Sequence, residues 1–417
     1  MKKHNLLKGI SILLLLVFIL FSFTGCSSNS NNIDKLAYVV ALGFDVGDTS
    51  PLKLSFQISI PSSGSESSSG SSSQSSDVIV NSIECNSINS GINLMNSYIS
   101  KKINLSHCKV VVFSEELAYQ GLSEFVYALI NDIEVAPSTN IVISKCDAKS
   151  FLENAKPTTE SLSARYYEIA PTSSEYTGYT TNARIGTFFS RLADTFSDPY
   201  AILGSINNSE TQQSGTQNTN RYNQDSNYTA GQTPIESTKT NIENMGIAVF
   251  SGDKMVGELN GSETISHLIV TSQLDTCVIT IPSPFDETES IDLQLEMDKD
   301  TKNSVELINS SPFITTDVHL KATILSMNEG HDYLNDENLK VLQDFANSYL
   351  EQNISEYLYK TAKELQSDIV GFGKYVVPHF LDWDDWIDYN WLSNYPNSFF
   401  SVHVTTNIRS GHLLLKT

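Results

Sequence analysis

Positive charge is what this chain has least of. Lys and Arg together number 26 in 417 residues, against 48 Asp and Glu, for a formal net charge of −22. Phosphate recognition needs clustered basic residues, so the composition argues against nucleic acid as a partner. It argues equally against docking on anionic lipid by charge alone. Cysteine is also scarce. Cys26, Cys85, Cys108, Cys146 and Cys277 show no short repeated spacing, which excludes a disulfide framework and a paired-ligand zinc site. Cys108 lies just before an apolar run and Cys146 just after one. A pairing between them fits that placing, and buried free thiols fit it better. No apolar run beyond the amino terminus approaches the ~20 residues of a membrane helix. Enzymatic signatures are missing too: there is no Gly-rich phosphate loop, no His-Glu-x-x-His, no Gly-x-Ser-x-Gly and no Cys-x-x-Cys. The expectation is a chain that is not an enzyme, with no catalytic residue, metal or cofactor.

What is present begins at the amino terminus. Lys2, Lys3 and Lys8 precede an apolar stretch from Ile10 to Phe21, and Phe23-Thr24-Gly25-Cys26 closes the segment. This is the layout of a secretory signal peptide whose apolar part is too short to span a bilayer comfortably. Small residues before a cysteine are what the bacterial lipoprotein pathway reads when it attaches a diacylglycerol to the thiol. Cys26 is therefore the candidate lipidation site, carrying palmitate or a similar acyl chain, and cleavage falls in front of it. Removing residues 1–25 takes away three Lys and no acid, which moves the formal charge from −22 to −25. A lipid on Cys26, rather than charge, would then hold the chain at a membrane.

The expected organisation is a signal peptide over 1–25, a lipidated cysteine and tether over 26–32, and an α/β domain over 33–200. A polar low-complexity linker or insertion over 201–240 separates this from an α+β region over 241–417, with a further division into 241–285 and 286–417 allowed. Leu52, Leu54, Phe56, Ile58 and Ile60 alternate with polar residues, a strand by period. It pairs with a strand over 77–83 across the Ser/Gly-rich stretch 62–76. Helices are expected from Ile88, over Phe125 to Ile133, from Ala148 and around Gly186 to Phe196. A hairpin closes around Gly252-Asp253, and Asn260 or Ser262 caps the helix that follows. Separate strands are expected at 277–281, 291–297, 305–307 and 314–325, then one long helix from the cap Asn335 to Gly371, and a final strand through Ile408. The fold class expected is α+β and multi-domain, each domain a mixed β-sheet with packed helices behind a lipoprotein signal peptide.

Candidate chemistry is thin. His107, His267, His319, His331, His379, His403 and His412 are scattered, and each is expected to be a surface or structural residue. Asp382, Asp384, Asp385 and Asp388 interleave with Trp383 and Trp386 but lack calcium-loop spacing. A solvated helix end over buried tryptophans accounts for them.

Three stretches carry a family likeness: LAYVVALGFD (36–45), GIAVFSGDKMVGELNGSET (246–264) and QSDIVGFGKYVVPHFLDW (366–383). With the segment from His107 to Leu122 they resemble the Ger(x)C family, the lipoprotein C subunit of bacterial spore germinant receptors. The chain departs from that pattern at Ser27, Ser28 and Asn29, where members often carry Trp and basic residues. The stretches 62–76 and 205–240 look like additions. The resemblance implies a lipid-anchored, non-enzymatic receptor subunit on the outer face of the spore inner membrane. Its implied partners are integral membrane subunits of the A and B types, and its implied role in germination is assembly or coupling. Gly257, Asn260, Glu263, Asp368, Gly371, Phe372 and Gly373 become candidate corner residues, with a docking face for a partner subunit as their functional alternative. Two competing readings are a solute-binding lipoprotein of a transport system, which calls for two βαβ lobes around a cleft, and a cell-envelope hydrolase.

Overall fold

The computed structural model describes residues 35–60, 78–155, 163–207, 226–235, 241–286, 288–326 and 336–410. Residues 1–34, with Cys26 and the expected signal peptide and tether, the serine-rich stretch 62–76, the expected cap Asn335, His331, His412 and most of 205–240 lie outside the described residues.

Two mixed sheets organise the described chain. The first opens with β1 (Leu36–Val46), β2 (Leu52–Ser59) and β3 (Val78–Cys85), followed by α1 (Ile88–Tyr98), β4 (Lys102–Asn104) and β5 (Val110–Ser114). Then come α2 (Glu115–Gln120), α3 (Ser123–Ile130), β6 (Asn140–Ser144), α4 (Ala148–Asn154), α5 (Ser163–Ile169), α6 (Ser174–Thr177) and α7 (Ile185–Ala193). β7 (Tyr200–Asn207), β8 (Asn241–Ser251) and β9 (Lys254–Leu259) complete the sheet, in the order β3-β2-β1-β5-β6-β7-β8-β9 with β4 beside β1. Its centre, β1-β5-β6-β7, is parallel, and antiparallel strands flank it on both sides. A parallel centre covered on both faces explains why β1, β5 and β6 read as apolar runs rather than alternations. Phe44, Phe113 and Phe125 stack inside it.

Alternation along β2 does not mark a solvent face. Ser55 and Gln57 are buried beneath α4, with Gln57 Nε2 donating to the Leu152 carbonyl at 3.0 Å. The same helix starts on a carboxylate from β1: Asp45 accepts the Ala148 and Lys149 amides at 2.6 and 3.0 Å. Burial pushes the Asp45 carboxyl upward, and the two helix-terminal amides oppose that shift.

The second sheet contains β10 (Thr276–Pro282), β11 (Ser290–Ile308), β12 (Ser311–Ser326) and β13 (Phe399–Ser410) in that order. The first three form an antiparallel meander. β13 returns parallel to β12 through a crossover containing α9 (Asp336–Tyr359), α10 (Gly373–Val376) and α11 (Trp383–Tyr389). One face alternates into the core and the other into solvent, as an open antiparallel sheet should. α8 (Gly261–Val270) lies between the sheets and is buried on nearly every side. The edge of β13 is covered: Glu351 and Asn347 of α9 accept the Val404 and Thr406 amides at 2.9 and 2.8 Å.

The mixed-sheet, two-body organisation agrees with the expected fold class, and the differences lie in its seams. The expected boundary at 201–240 does not separate the sheets. β7 pairs with β8 across it, and 226–235 returns to the body through Ala230, Tyr228 and Ser226. Residues 241–259, assigned from sequence to the carboxyl-terminal region, therefore finish the first sheet. A polar excursion between two paired strands has the same composition as an interdomain linker. The strands expected at 291–297 and 305–307 are one bent strand. The polar run between them is held where Thr301 and Asn303 bond the carboxyl end of α8. The long helix stops at Tyr359, passes through a π-turn over Lys360–Glu364 and leaves Gly371 in a loop. Ile133 is fully exposed beyond the end of α3, and Trp383 is exposed rather than buried. Cys85, Cys108 and Cys277 are buried free thiols and Cys146 is a half-buried one, so Cys108 and Cys146 are not paired. Among the described residues no helix is long and apolar enough to cross a membrane.

Candidate functional site

The structure gathers the seven residues singled out by sequence into two adjoining groups, Gly257, Asn260 and Glu263 facing the end of α9, and Asp368, Gly371, Phe372 and Gly373 in the loop that follows it. Construction starts at the corner after β9. Asn260 accepts the Glu263 amide at 2.9 Å, while Glu263 accepts the Asn260 amide at 2.8 Å, a reciprocal capping box. This arrangement leaves the Glu263 carboxylate facing α9. Lys360, in the π-turn, donates to both Glu263 oxygens at 2.8 Å and to the Glu258 carbonyl at 3.0 Å. A widened turn re-aims one side chain out of helical register, and here the re-aimed residue is the lysine that ties α9 to the first sheet. On the same strand Gly257 leaves room for Leu365, whose Cδ2 would stand 2.6 Å from any β-carbon there.

The loop after the π-turn carries the densest polar network. Ser367 donates to the Phe250 carbonyl at 2.6 Å. Asp368, fully buried, accepts the Gly371 amide at 2.8 Å, the Gly373 amide at 3.1 Å and Trp391 Nε1 at 2.8 Å. Its own amide donates to Asp198 Oδ2 at 3.0 Å, and Asp198 Oδ1 accepts the Gly252 amide at 2.9 Å. Arg191 donates to the carbonyls of Asp198 and Ile369, at 3.1 and 2.8 Å, and stacks over Tyr200. Gly371 is needed for its φ of +81°, and Gly373 because a β-carbon would strike the Phe196 carbonyl at 2.6 Å. Phe372 is buried against Tyr395 and Phe400. The Gly371-Phe372-Gly373 run thus wraps a carboxylate, a role different from the helix stop expected of it.

Electrostatics follow from burial. Desolvation pushes the Asp198 carboxyl up to about 6 and raises Asp368 as well, while the donors at each carboxylate oppose the shift. His267 is fully buried with Nδ1 2.8 Å from the Tyr357 hydroxyl, and burial drives it down to about 3, so it is neutral at physiological pH. The Tyr357 and Tyr395 hydroxyls are held well above their ordinary range by the same cause. Asp368 has three donors on two oxygens and no face open to solvent. The arrangement binds chain to chain; it does not present a reactive group to a substrate. Among the described residues no group of three His, Cys, Asp or Glu is placed to hold a metal ion.

Sequence reasoning missed Asp198, Arg191, Lys360, Trp391 and Tyr357. Asp198 bonds across 170 positions, and nothing local marks it except its place just before Pro199 and the strand. Lys360 was hidden because a π-turn is not visible in helical periodicity. His267, expected to be a surface or structural residue, is fully buried with Nδ1 against the Tyr357 hydroxyl and Nε2 without a hydrogen-bond partner.

The comparisons with known proteins follow this anatomy. The family described as "Spore germination protein N-terminal domain" matches residues 29–206, and "Spore germination B3/GerAC like, C-terminal" matches residues 245–411. Between the two matches lies the polar excursion, and the second match begins inside β8. A Bacillus subtilis (strain 168) protein, YfkR, named for a role in spore germination, is 20% identical over 410 residues, covering 97% of each chain. The crystal structure of the GerBC protein superposes with a TM-score of 0.51 at 16% identity, over 88% of this chain and 96% of that one, a likeness of fold. The chain belongs to the GerAC-like family of spore germination proteins.

Proposed function

We propose that this chain is a lipid-anchored, non-enzymatic subunit of a germinant receptor. Cys26 carries the lipid, and the body lies on the outer face of the spore inner membrane. Integral membrane subunits of the A and B types are its partners, and it acts through assembly or coupling. The observation that carries the reading is the buried junction. The residues shared with the family likeness are spent on locking two sheets together around Asp368, not on lining an open pocket. A sealed scaffold of this kind suits a component that contacts proteins, since the Asp368 and Asp198 oxygens are taken up by donors of the chain itself. The transport-system reading calls for two βαβ lobes, whereas the second sheet is a meander with one crossover.

The test is affinity purification of the tagged chain from spore membranes, beside Cys26→Ala. The wild type is expected to bring down two integral membrane subunits and to incorporate labelled palmitate. Cys26→Ala is expected to lose the label and leave the membrane fraction. An unlabelled wild type, or a purification without membrane subunits, overturns the proposal.

A further inference from the structure

One exposed surface is not accounted for by the junction. α11 (Trp383–Tyr389) turns Trp386 inward, where Nε1 donates to Thr195 at 2.8 Å and the ring packs on Phe380. Flanking the buried ring, Leu381 just before the helix is fully exposed, Trp383 is 57% exposed and Ile387 44%. Trp383 and Ile387 are four apart, so they lie side by side on one helix face. Around them stand Asp382, Asp384, Asp385 and Asp388, all exposed.

This face is firmly held. Asp382 caps the helix by accepting the Asp385 amide at 2.9 Å. Asn390 closes the helix in the left-handed region, and the Tyr389 hydroxyl donates to the Ser310 carbonyl at 3.1 Å. Its charges, however, are unmatched. No cation among the described residues forms an ion pair with any of the four carboxylates. Asp384 and Asp388 repel at four-residue spacing, and Asp388 sits in the last turn, where the helix dipole disfavours it. Exposed apolar side chains gathered beside uncompensated charge fit a surface that meets a partner.

We propose that Leu381, Trp383 and Ile387 form a docking surface for a basic, apolar segment of a partner polypeptide. Charge selects this occupant. A second copy would bring the same four carboxylates and a formal net charge of −22, and an anionic bilayer would repel them. A segment with Lys or Arg flanking apolar anchors satisfies both halves of the face. This inference rests on the reading of the chain as a subunit of a membrane complex.

The experiment uses the full chain in spore membranes. It compares wild type, Trp383→Ala and the double variant Asp384→Lys/Asp388→Lys. Trp383→Ala leaves every charge and the cap in place, which covers the event that the charge reversal unfolds the helix. Recovery of the co-purifying membrane subunit is expected to fall roughly tenfold in each variant, as for the loss of an interface anchor. A photoreactive residue at position 387 is expected to cross-link to a Lys- or Arg-rich apolar stretch of that subunit. Equal recovery by the variants overturns this inference alone. So does cross-linking confined to lipid, to a second copy or to nothing. Failure of the wild type to bring down any membrane subunit overturns the receptor reading, and this inference with it.

Discussion

Asp368→Asn tests the junction at its centre. The carboxylate takes three donors, the Gly371 amide on Oδ1 and the Gly373 amide and Trp391 Nε1 on Oδ2. An asparagine offers one acceptor oxygen. Placed at the Oδ2 position it keeps two donors and turns its NH2 toward the Gly371 amide. One hydrogen bond to a charged group is lost, worth about 1.5–3 kcal/mol, and a buried N–H is left unpaired at a cost of about 1–3 kcal/mol. Against this, removing the charge relieves the desolvation that raises the Asp368 carboxyl and its repulsion with Asp198. Because two of the three bonds are as short as 2.8 Å and the site is sealed, the lost pairing outweighs the relief. A net destabilisation of about 2–4 kcal/mol is expected. Urea unfolding at pH 7 followed by tryptophan fluorescence measures it, since Trp386 and Trp391 are buried reporters. Asp384→Asn, on the exposed face, serves as a control and should change stability by less than about 0.5 kcal/mol. An unchanged or raised urea midpoint for Asp368→Asn would refute the reasoning, because burial of the charge would then cost more than its three bonds return.

Asp198 has a folded pKa of about 6 against an ordinary 3.8, so the native state holds its proton to higher pH than the unfolded chain does. Its contribution is therefore present below the ordinary value and is lost as pH rises toward 6, by about 3 kcal/mol across the window. The stability difference between wild type and Asp198→Asn, from urea midpoints at successive pH values, should shrink accordingly, and a flat difference would sink the assignment. Three glycine substitutions should rank by what each new β-carbon meets. Gly373→Ala strikes the Phe196 main chain at 2.6 Å and costs the most, about 2 kcal/mol or more. Gly371→Ala has room and bears only its φ of +81°, about 1–2 kcal/mol, whereas Gly257→Ala meets the movable end of Leu365 and costs least. Thermal melts giving Gly257→Ala as the costliest would contradict that order. Finally, Asn347→Ala/Glu351→Ala uncovers the Val404 and Thr406 amides on the edge of β13. A loss of about 1 kcal/mol per cap is expected, together with concentration-dependent self-association in sedimentation runs. A variant as stable and as monomeric as the wild type would show that the edge needs no cover.

Local order was readable in the sequence wherever one residue's neighbours decide its conformation. The alternation of β2, the turn at Gly252-Asp253 and the Asn260 cap depend on short-range sterics and hydrogen bonds, and each is present. The seam between the sheets was not readable. Residues 205–240 have the polarity of a linker, yet the strands on either side are bonded to each other. Polarity reports contact with water and not which strands pair. The junction residues were legible as a set because they travel in two recognisable stretches, but their reason for meeting was not. Asp198 and Arg191, which complete the network, come from a third stretch with no signature. Lys360 shows the same limit at smaller scale, since one extra residue in a turn re-aims a side chain without altering the apolar pattern around it.

The segment from Asp368 to Trp391 links the two outcomes. It begins at the buried carboxylate and ends at the indole that bonds that carboxylate, and the helix α11 lies between them. α11 is fastened to both bodies: Trp386 bonds Thr195 beside α7 of the first sheet, and Tyr389 bonds Ser310 in the β11–β12 turn of the second. A partner seated on Trp383 and Ile387 therefore presses on a platform whose position depends on how the sheets are held together. Loosening Asp368 should weaken that docking without touching the docking face, and weakening the face should leave the junction intact. The asymmetry follows from direction of support. The junction is built without the platform's exposed residues, but the two anchors of the platform lie on bodies whose relative position the junction helps to fix.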